Sequence, residues 1–138
     1  MTTNLDPQNR IIVDHLRRAI DGVIAVYRFG STTHGTSSRA SDTDIAILSR
    51  TRMLPDVRFD VQEQLAALIG GDVDLVDLVA ASPVMAIQVV ARGELLYNGD
   101  DKARGQFEDR TFGAYARLNE ERRGILERIA AEGTVYGR

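Results

Sequence analysis

The stretch Gly30–Leu48, GSTTHGTSSRASDTDIAIL, is the part of the chain that decides the fold. It follows directly on the β-branched and aromatic run Val23–Phe29, and it ends in an apolar run that begins at Ile45. Short runs of this composition are typical of strands that are buried on at least one face. The residues between them, 32–41, are almost entirely polar and predict a loop. The stretch therefore predicts two consecutive strands joined by a long polar connection.

Two aspartates, Asp42 and Asp44, enter the second of these strands. Side chains alternate along a strand, so both carboxylates lie on one face. A buried carboxylate without a partner costs several kcal/mol, and a divalent cation is the simplest compensation. Magnesium prefers oxygen ligands and usually takes only one or two carboxylates together with substrate phosphates. The pair therefore predicts Mg²⁺ bound with a nucleoside triphosphate.

Gly30 and Ser31 provide the second half of such a site. Glycine lets the backbone approach a phosphate closely, and backbone N–H groups and the Ser31 hydroxyl can donate hydrogen bonds to phosphate oxygens. Neither Gly-Ser nor Asp-x-Asp is informative alone, but their joint placement on consecutive strands is specific. The alternative is that Asp42 is a turn residue at the start of a strand and that Asp44 is an exposed polar residue in it.

The whole chain predicts a small α/β domain with helices packed on a short central mixed sheet and a helical extension at the C-terminus. Asp6 and Ser82 are predicted helix caps, each followed by a proline. The predicted helices are 7–21, 55–69, 84–91 and about 100–131, and the predicted strands are 23–29, 42–48, 72–79 and 95–97. We expect a single domain over residues 1–138, with its core at about 7–98.

Two of these helices carry predicted apolar faces. In helix 55–69 the face consists of Val57, Val61, Leu65 and Leu68. In the C-terminal helix it is a sparse stripe of Phe107, Ala114, Leu118, Ile125 and Ile129. A stripe this sparse is too small for a core of its own and suits contact with a partner protein. The alternative is that the helix folds back on its own domain.

Composition excludes several classes of function. Against 17 Lys and Arg stand 20 Asp and Glu, and the net charge of -3 argues against a direct nucleic-acid ligand. Cysteine is absent, which excludes disulfides, thiolate metal sites and cysteine nucleophiles. The N-terminus does not have the pattern of a signal peptide, and no apolar run is long enough to span a membrane. We expect a cytoplasmic protein without a membrane partner.

The chain resembles the minimal nucleotidyltransferases of the polymerase-β-like superfamily. Their pattern is Gly-Ser, ten residues, Asp-x-Asp and then a further acidic strand. Gly30-Ser31, Asp42-Thr43-Asp44 and the segment DVDLVDL at 72–78 match it, and the resemblance covers about 11–97. It implies the nucleotidyltransferase fold, two magnesium ions held by three carboxylates, and transfer of a nucleotide from a triphosphate to an acceptor hydroxyl with loss of pyrophosphate.

Asp74 is the predicted third carboxylate. Asp72 follows two glycines and has the position of a turn residue, while Asp77 lies three positions from Asp74 and must face the other side of a regular strand. The catalytic and metal-binding set predicted from the resemblance is therefore Asp42, Asp44 and Asp74.

The predicted nucleotide-binding residues are Gly30, Ser31 and Arg39. Arg39 either neutralises charge on the triphosphate or is only a solvated loop residue. The family usually continues as Gly-Ser-x-Ala-Arg-Gly, whereas this chain has Thr33 and His34 before its next glycine. His34 either binds a phosphate or is a solvent-exposed loop residue, and it is left out of the predicted site.

Single-domain chains of this size resemble the antitoxins of HEPN/MNT toxin–antitoxin pairs. This resemblance implies that AMP is transferred from ATP to a tyrosine of a helical HEPN ribonuclease toxin, with which the chain forms a hetero-oligomer. Two alternatives remain open. The chain could be a noncatalytic antitoxin that neutralises its partner by occlusion, or a nucleotidyltransferase that modifies a small molecule such as an aminoglycoside.

Overall fold

The computed structural model describes residues 5–30 and 42–131, where helices cover both faces of a four-stranded mixed sheet. The helices are α1 (Pro7–Ala19), α2 (Pro55–Ile69), α3 (Pro83–Arg92) and α4 (Asp101–Ala131). The strands are β1 (Val23–Phe29), β2 (Thr43–Ser49), β3 (Val73–Asp77) and β4 (Glu94–Asn98). None of the helices in these two ranges is long and apolar enough to cross a membrane. The predicted α/β class, with its mixed sheet and C-terminal helix, is confirmed.

The order of the strands brings three strand ends together. Across the sheet the order is β3-β2-β1-β4, with β1 antiparallel to both of its neighbours and β2 parallel to β3. Phe29 lies opposite Asp44, and Asp44 lies opposite Asp74. Residues directly opposite one another point to the same face of a sheet. The last residue of β1 therefore meets the first residues of β2 and β3 at one end of the sheet.

Each face of the sheet buries an apolar core. On one face α1 and α2 pack over a cluster that includes Val26, Ile45, Ile47 and Leu75. On the other face α3 and α4 pack over a cluster that includes Tyr27, Ala46, Leu48 and Leu78. Full burial of one large apolar side chain stabilises the fold by about 1.5–3 kcal/mol. The two cores together hold the central strands β1 and β2 in place.

The predicted caps begin their helices as expected. The Asp6 carboxylate accepts the Asn9 N–H at 2.7 Å, and the Ser82 hydroxyl accepts the Met85 N–H at 3.2 Å. Each satisfies a backbone donor that has no partner within the first turn of a helix. α2 ends at Gly70, whose φ of +75° is the left-handed conformation that favours glycine.

Some predicted boundaries and faces are wrong. α1 ends at Ala19 rather than Asp21, because Ile20 is already extended. On α2, Val57 and Leu68 are 38% and 50% exposed, although both were predicted to face the core. The buried line of α2 instead follows a spacing of four, through Val61 and Leu65 to the partly buried Ile69.

Asp77 ends β3 two residues before the predicted boundary at Val79. Its side chain is buried, and its two carboxylate oxygens accept backbone N–H groups from Met53 at 2.9 Å and Val79 at 3.1 Å. The N–H of Val79 is thereby bonded to a side chain in a turn rather than to a neighbouring strand. Asp77 faces away from Asp74, as predicted, and has a structural role.

α4 packs on the sheet through its first half. The Tyr27 hydroxyl donates to Glu108 at 2.7 Å, and Arg104 donates to the same carboxylate oxygen at 2.8 Å. Burial, with the neighbouring Glu108 carboxylate, raises the pKa of Tyr27 well above its ordinary value and keeps the phenol protonated as a donor. Phe107, from the predicted stripe, packs against the core on this face. Thr111 is the one buried residue of α4, whereas Ile125 and Leu126 near its C-terminal end are exposed.

Replacing Asp77 with alanine tests its structural role. Asp77→Ala leaves the N–H groups of Met53 and Val79 without their carboxylate acceptor, and we expect the free energy of unfolding to fall by about 2–4 kcal/mol. Urea denaturation measures this value. The matched control is Asp72→Ala, an exposed aspartate of the same segment, which should change stability by less than about 0.5 kcal/mol. Equal losses in the two variants would contradict this role.

Candidate active site

Asp44 lies at the centre of the candidate site. It is the second residue of β2, it is half-buried, and it lies between Phe29 of β1 and Asp74 of β3 in the register of the sheet. Asp42 comes immediately before β2 and is exposed, as is Asp74. The alternation of side chains places all three carboxylates on the face of the sheet that α3 and α4 cover.

The electrostatics of Asp44 reflect its two acidic neighbours, Asp74 opposite it on β3 and Asp42 two positions earlier in the chain. Burial raises the pKa of Asp44 above its ordinary value, and the negative charges of Asp74 and Asp42 raise it further. Like charges that are held together disfavour the ionised form of each group. The structure therefore brings together the three aspartates that the sequence predicted. A bound cation would remove the electrostatic repulsion between their carboxylates.

The backbone of Gly30 lies directly against the side chain of Asp44. Its φ is +85°, which a residue with a side chain rarely adopts. A Cβ atom built on Gly30 would collide with Oδ2 of Asp44 and would lie 3.1 Å from its Cγ. The described neighbour of Gly30 is thus a carboxylate of the candidate site. The predicted contact between Gly30 and a phosphate remains a prediction.

The donor set suits a hard cation. The three carboxylates provide only oxygen ligands. The Asp44 carboxylate occupies the space that a Cβ on Gly30 would fill. Among the residues that the structure describes, no group of three or more acidic or histidine side chains is arranged to hold a metal ion on its own. Magnesium does not need such a cage, because it keeps waters and takes part of its coordination from substrate phosphates. The residues present therefore fit magnesium that binds together with a nucleotide.

Other predicted residues have different outcomes. Ser31, Arg39 and His34 lie outside the described residues. Asp72 lies at the mouth of β3 with an exposed side chain, as expected for a turn residue. Its backbone carbonyl accepts the Thr43 N–H at 3.0 Å, which extends the pairing of β2 with β3 up to the carboxylates.

Two supports of the site were not predicted. Arg28, two residues before Gly30, donates from Nη1 to Oδ1 of the buried Asn9 at 2.7 Å and so ties α1 to the end of β1. At the end of α3, a Cβ on Gly93 would lie 2.5 Å from the carbonyl oxygen of Val89 in its own helix and 3.3 Å from that of Arg28 in β1. Only glycine therefore lets the chain leave α3 along this path beside β1. No local pattern in the sequence indicates either contact.

The chain is similar to several known proteins. The family described as polymerase beta, nucleotidyltransferase matches residues 12–102. The protein adenylyltransferase MntA of Shewanella oneidensis is 37% identical over 120 residues, which are 87% of this chain and 86% of that protein. A chain in the crystal structure of a toxin–antitoxin with AMP-PNP has a TM-score of 0.80 and 35% identity, over 91% of this chain and 99% of that chain.

A third similarity is to a chain in the structure of the tri-AMPylated Shewanella oneidensis HEPN toxin in complex with MNT antitoxin. Its TM-score is 0.75 and its identity 32%, over 89% of this chain and 96% of that chain. The similarity to all of these proteins extends over most of the length of both chains.

The raised pKa of Asp44 predicts a dependence of stability on pH. Because the folded-state pKa lies above the ordinary 3.8, wild-type protein loses stability as pH rises from that value through the raised one. An asparagine side chain carries no charge, so we expect Asp44→Asn to gain stability relative to wild type as pH rises through this interval. Urea denaturation along a pH series up to neutrality measures the difference. The exposed control Asp109→Asn should follow the wild-type profile, and parallel profiles for Asp44→Asn and wild type would contradict the charge cluster.

The variant Gly30→Ala tests the contact between Gly30 and the Asp44 carboxylate. Gly70 has a similar φ, +75°, but no atom lies within 4 Å of a Cβ built on it. Both Gly30→Ala and Gly70→Ala should lose about 1 kcal/mol of stability to the left-handed backbone. Only Gly30→Ala displaces the Asp44 carboxylate, so we expect it alone to weaken Mg²⁺-ATP binding by roughly tenfold or more in calorimetry. Equal affinities in the two folded variants would show that the carboxylate does not depend on Gly30.

Proposed function

We propose that this chain, which belongs to the polymerase beta nucleotidyltransferase family, is an antitoxin that transfers AMP from ATP to a HEPN toxin and so neutralises it. The observation that carries the proposal is the proximity of Asp42, Asp44 and Asp74, with Asp44 lying against Gly30. Three similarities support the choice of donor and acceptor: MntA is a protein adenylyltransferase, one similar structure holds AMP-PNP, and another contains an AMPylated HEPN toxin.

The three aspartates are the proposed ligands of two magnesium ions. Bound magnesium would favour deprotonation of the acceptor hydroxyl and stabilise the negative charge on the departing pyrophosphate. Asp44 would bind from β2 and Asp42 from the position just before this strand, while Asp74 would approach from the adjacent parallel strand. Asp74 either completes this set of ligands or accepts the proton of the attacking hydroxyl.

In the proposed reaction the acceptor oxygen forms a bond to the α-phosphorus of ATP. The bond between that phosphorus and the oxygen that bridges to the β-phosphorus breaks, and pyrophosphate leaves with the electron pair. The hydroxyl proton passes to Asp74 or to solvent. The products are a phosphodiester between AMP and the acceptor, and pyrophosphate. The protein contributes positioning and charge, because this chemistry needs no covalent intermediate on the enzyme.

The exposure of the site agrees with a protein as acceptor. Asp42 and Asp74 are both exposed, so two of the three carboxylates can be approached from solvent by a large substrate. The net charge of -3 disfavours a nucleic-acid acceptor. A tyrosine hydroxyl of the HEPN toxin is the proposed acceptor, and the cytoplasm, where ATP is available, is the proposed location of the reaction.

Mass spectrometry of the co-expressed toxin tests the proposal. We expect wild-type protein to add ~329 Da to its HEPN partner for each AMP, the mass of AMP minus water. The double variant Asp42→Asn, Asp44→Asn should add nothing and should fail to protect cells, because asparagine keeps the size of the side chain but loses the charge that binds magnesium. The control Asp72→Asn, at the exposed turn residue, should modify the toxin as wild type does.

Two outcomes would contradict the proposal. A toxin that is neutralised but unmodified would show that protection comes from occlusion alone. Undiminished AMP incorporation by the double variant would show that Asp42 and Asp44 are not the metal ligands.

A further inference from the structure

A cavity of about 480 Å³ lies between α3, α4 and the sheet, at the end of the sheet opposite the carboxylates. Its apolar wall includes Ile24 near the start of β1, Leu48 near the end of β2 and Leu78 just after β3. A strand rises about 3.3 Å per residue, so Leu48 lies about 13 Å along β2 from Asp44. The cavity is therefore separate from the candidate active site, and the proposed reaction gives it no role.

One polar side chain in the wall of this cavity has no partner in the fold. Thr111 of α4 is 6% exposed, and its hydroxyl forms no hydrogen bond with any residue that the structure describes. The hydroxyl oxygen is not one of the fully enclosed polar atoms of the described fold, so it is accessible from the cavity. A hydroxyl that is largely buried without a hydrogen bond costs free energy. A ligand in the cavity would supply the missing hydrogen bond.

The rim of the cavity favours an anion. Arg110 and Gln106 lie one turn apart on α4, line the cavity and are exposed. Neither side chain has a hydrogen bond or an ion pair within the described ranges 5–30 and 42–131. Arg50 also lines the cavity, but it is paired with Asp100 at 2.6 Å. The first turn of α3 borders the cavity at Pro83, and the N-terminal end of a helix favours negative charge.

We propose that this cavity binds a small molecule with an apolar body and a single carboxylate. The body would lie on the wall formed by Ile24, Leu48 and Leu78. The carboxylate would accept hydrogen bonds from Thr111 and Arg110, and one arginine without an ion pair balances one negative charge. Ligand sites are usually concave and mostly apolar, with a volume of about 300–1,000 Å³ and a few polar groups that orient the ligand. The cavity has each of these properties, and medium-chain fatty acids and aryl carboxylates have the matching chemistry.

Titration of the full-length protein with octanoate, below the concentration at which it forms micelles, tests the proposal. Methyl NMR should show saturable shifts at Leu48 and Leu78, whereas Ile45 and Leu65, in the core beneath α1 and α2, should not shift. Octanamide has the same chain without the charge, so it should bind about tenfold more weakly or worse. Acetate lacks the apolar body and should not bind detectably.

The variant Thr111→Val distinguishes a ligand contact from a structural contact. Valine has nearly the same shape and a similar helix propensity but lacks the hydroxyl. Because that hydroxyl has no partner in the fold, we expect Tm of the ligand-free protein to stay the same or to rise. The Kd for octanoate should rise by about threefold or more, since the carboxylate loses a donor.

Arg110→Gln removes the charge at the rim and should also raise the Kd for octanoate by about threefold or more. Its matched control is Arg122→Gln, at an exposed arginine further along the same helix, which should leave this Kd unchanged. All three variants should keep wild-type affinity for Mg²⁺-ATP, because Asp44 is not part of the cavity. The proposal therefore stands or falls independently of the proposed nucleotide transfer.

Any of three results contradicts the proposal. The first is the absence of saturable shifts at Leu48 and Leu78, or equal binding of octanamide and octanoate. The second is a lower Tm of Thr111→Val with unchanged affinity for octanoate, which assigns the hydroxyl a structural role. The third is a cavity that the HEPN protein occupies in its complex with this chain and that binds no octanoate in the free chain, which assigns the cavity to that partner.

Discussion

The pairing register of β1, β2 and β3 is the constraint on which the rest of the structure depends. It aligns Phe29 with Asp44 and Asp44 with Asp74, and thereby brings a glycine and three carboxylates to one end of the sheet. Side chains alternate along a strand. A slip of one residue in β2 would therefore turn Asp44 toward α1 and α2, and it would turn Ile45 toward α3 and α4. The apolar cores on the two faces prevent this slip. The position of the candidate site is thus fixed by hydrophobic packing that contains none of its residues.

Much of this arrangement could be predicted because its signals are local. The span 23–29 of β1, the span 55–69 of α2, and the caps at Asp6 and Ser82 were predicted correctly from composition, spacing and capping chemistry. These features depend on neighbours within a few positions of the chain, so the sequence displays them directly.

What could not be predicted depends on residues that are distant in sequence. The carboxylate of Asp77 ends β3 by accepting the N–H of Met53, which lies 24 positions away. Val57 and Leu68 were predicted to be buried because helical spacing alone does not show where the sheet lies beneath α2. The close contact between Gly30 and Asp44 also follows from strand pairing, and the glycine was assigned only to a phosphate. In each case the determining partner is chosen by tertiary packing.

The Tyr27–Glu108 hydrogen bond has a consequence for the reaction beyond the anchoring of α4. β1 carries Tyr27 close to its end at Gly30, so α4 is fixed to the same strand that ends at the carboxylates. If α4 moved away from the sheet, the buried Tyr27 hydroxyl would lose its acceptor, and an unsatisfied buried donor costs about 1–3 kcal/mol. The same strand ends where Gly30 lies against the Asp44 carboxylate, so the geometry of the carboxylates depends on how α4 is held.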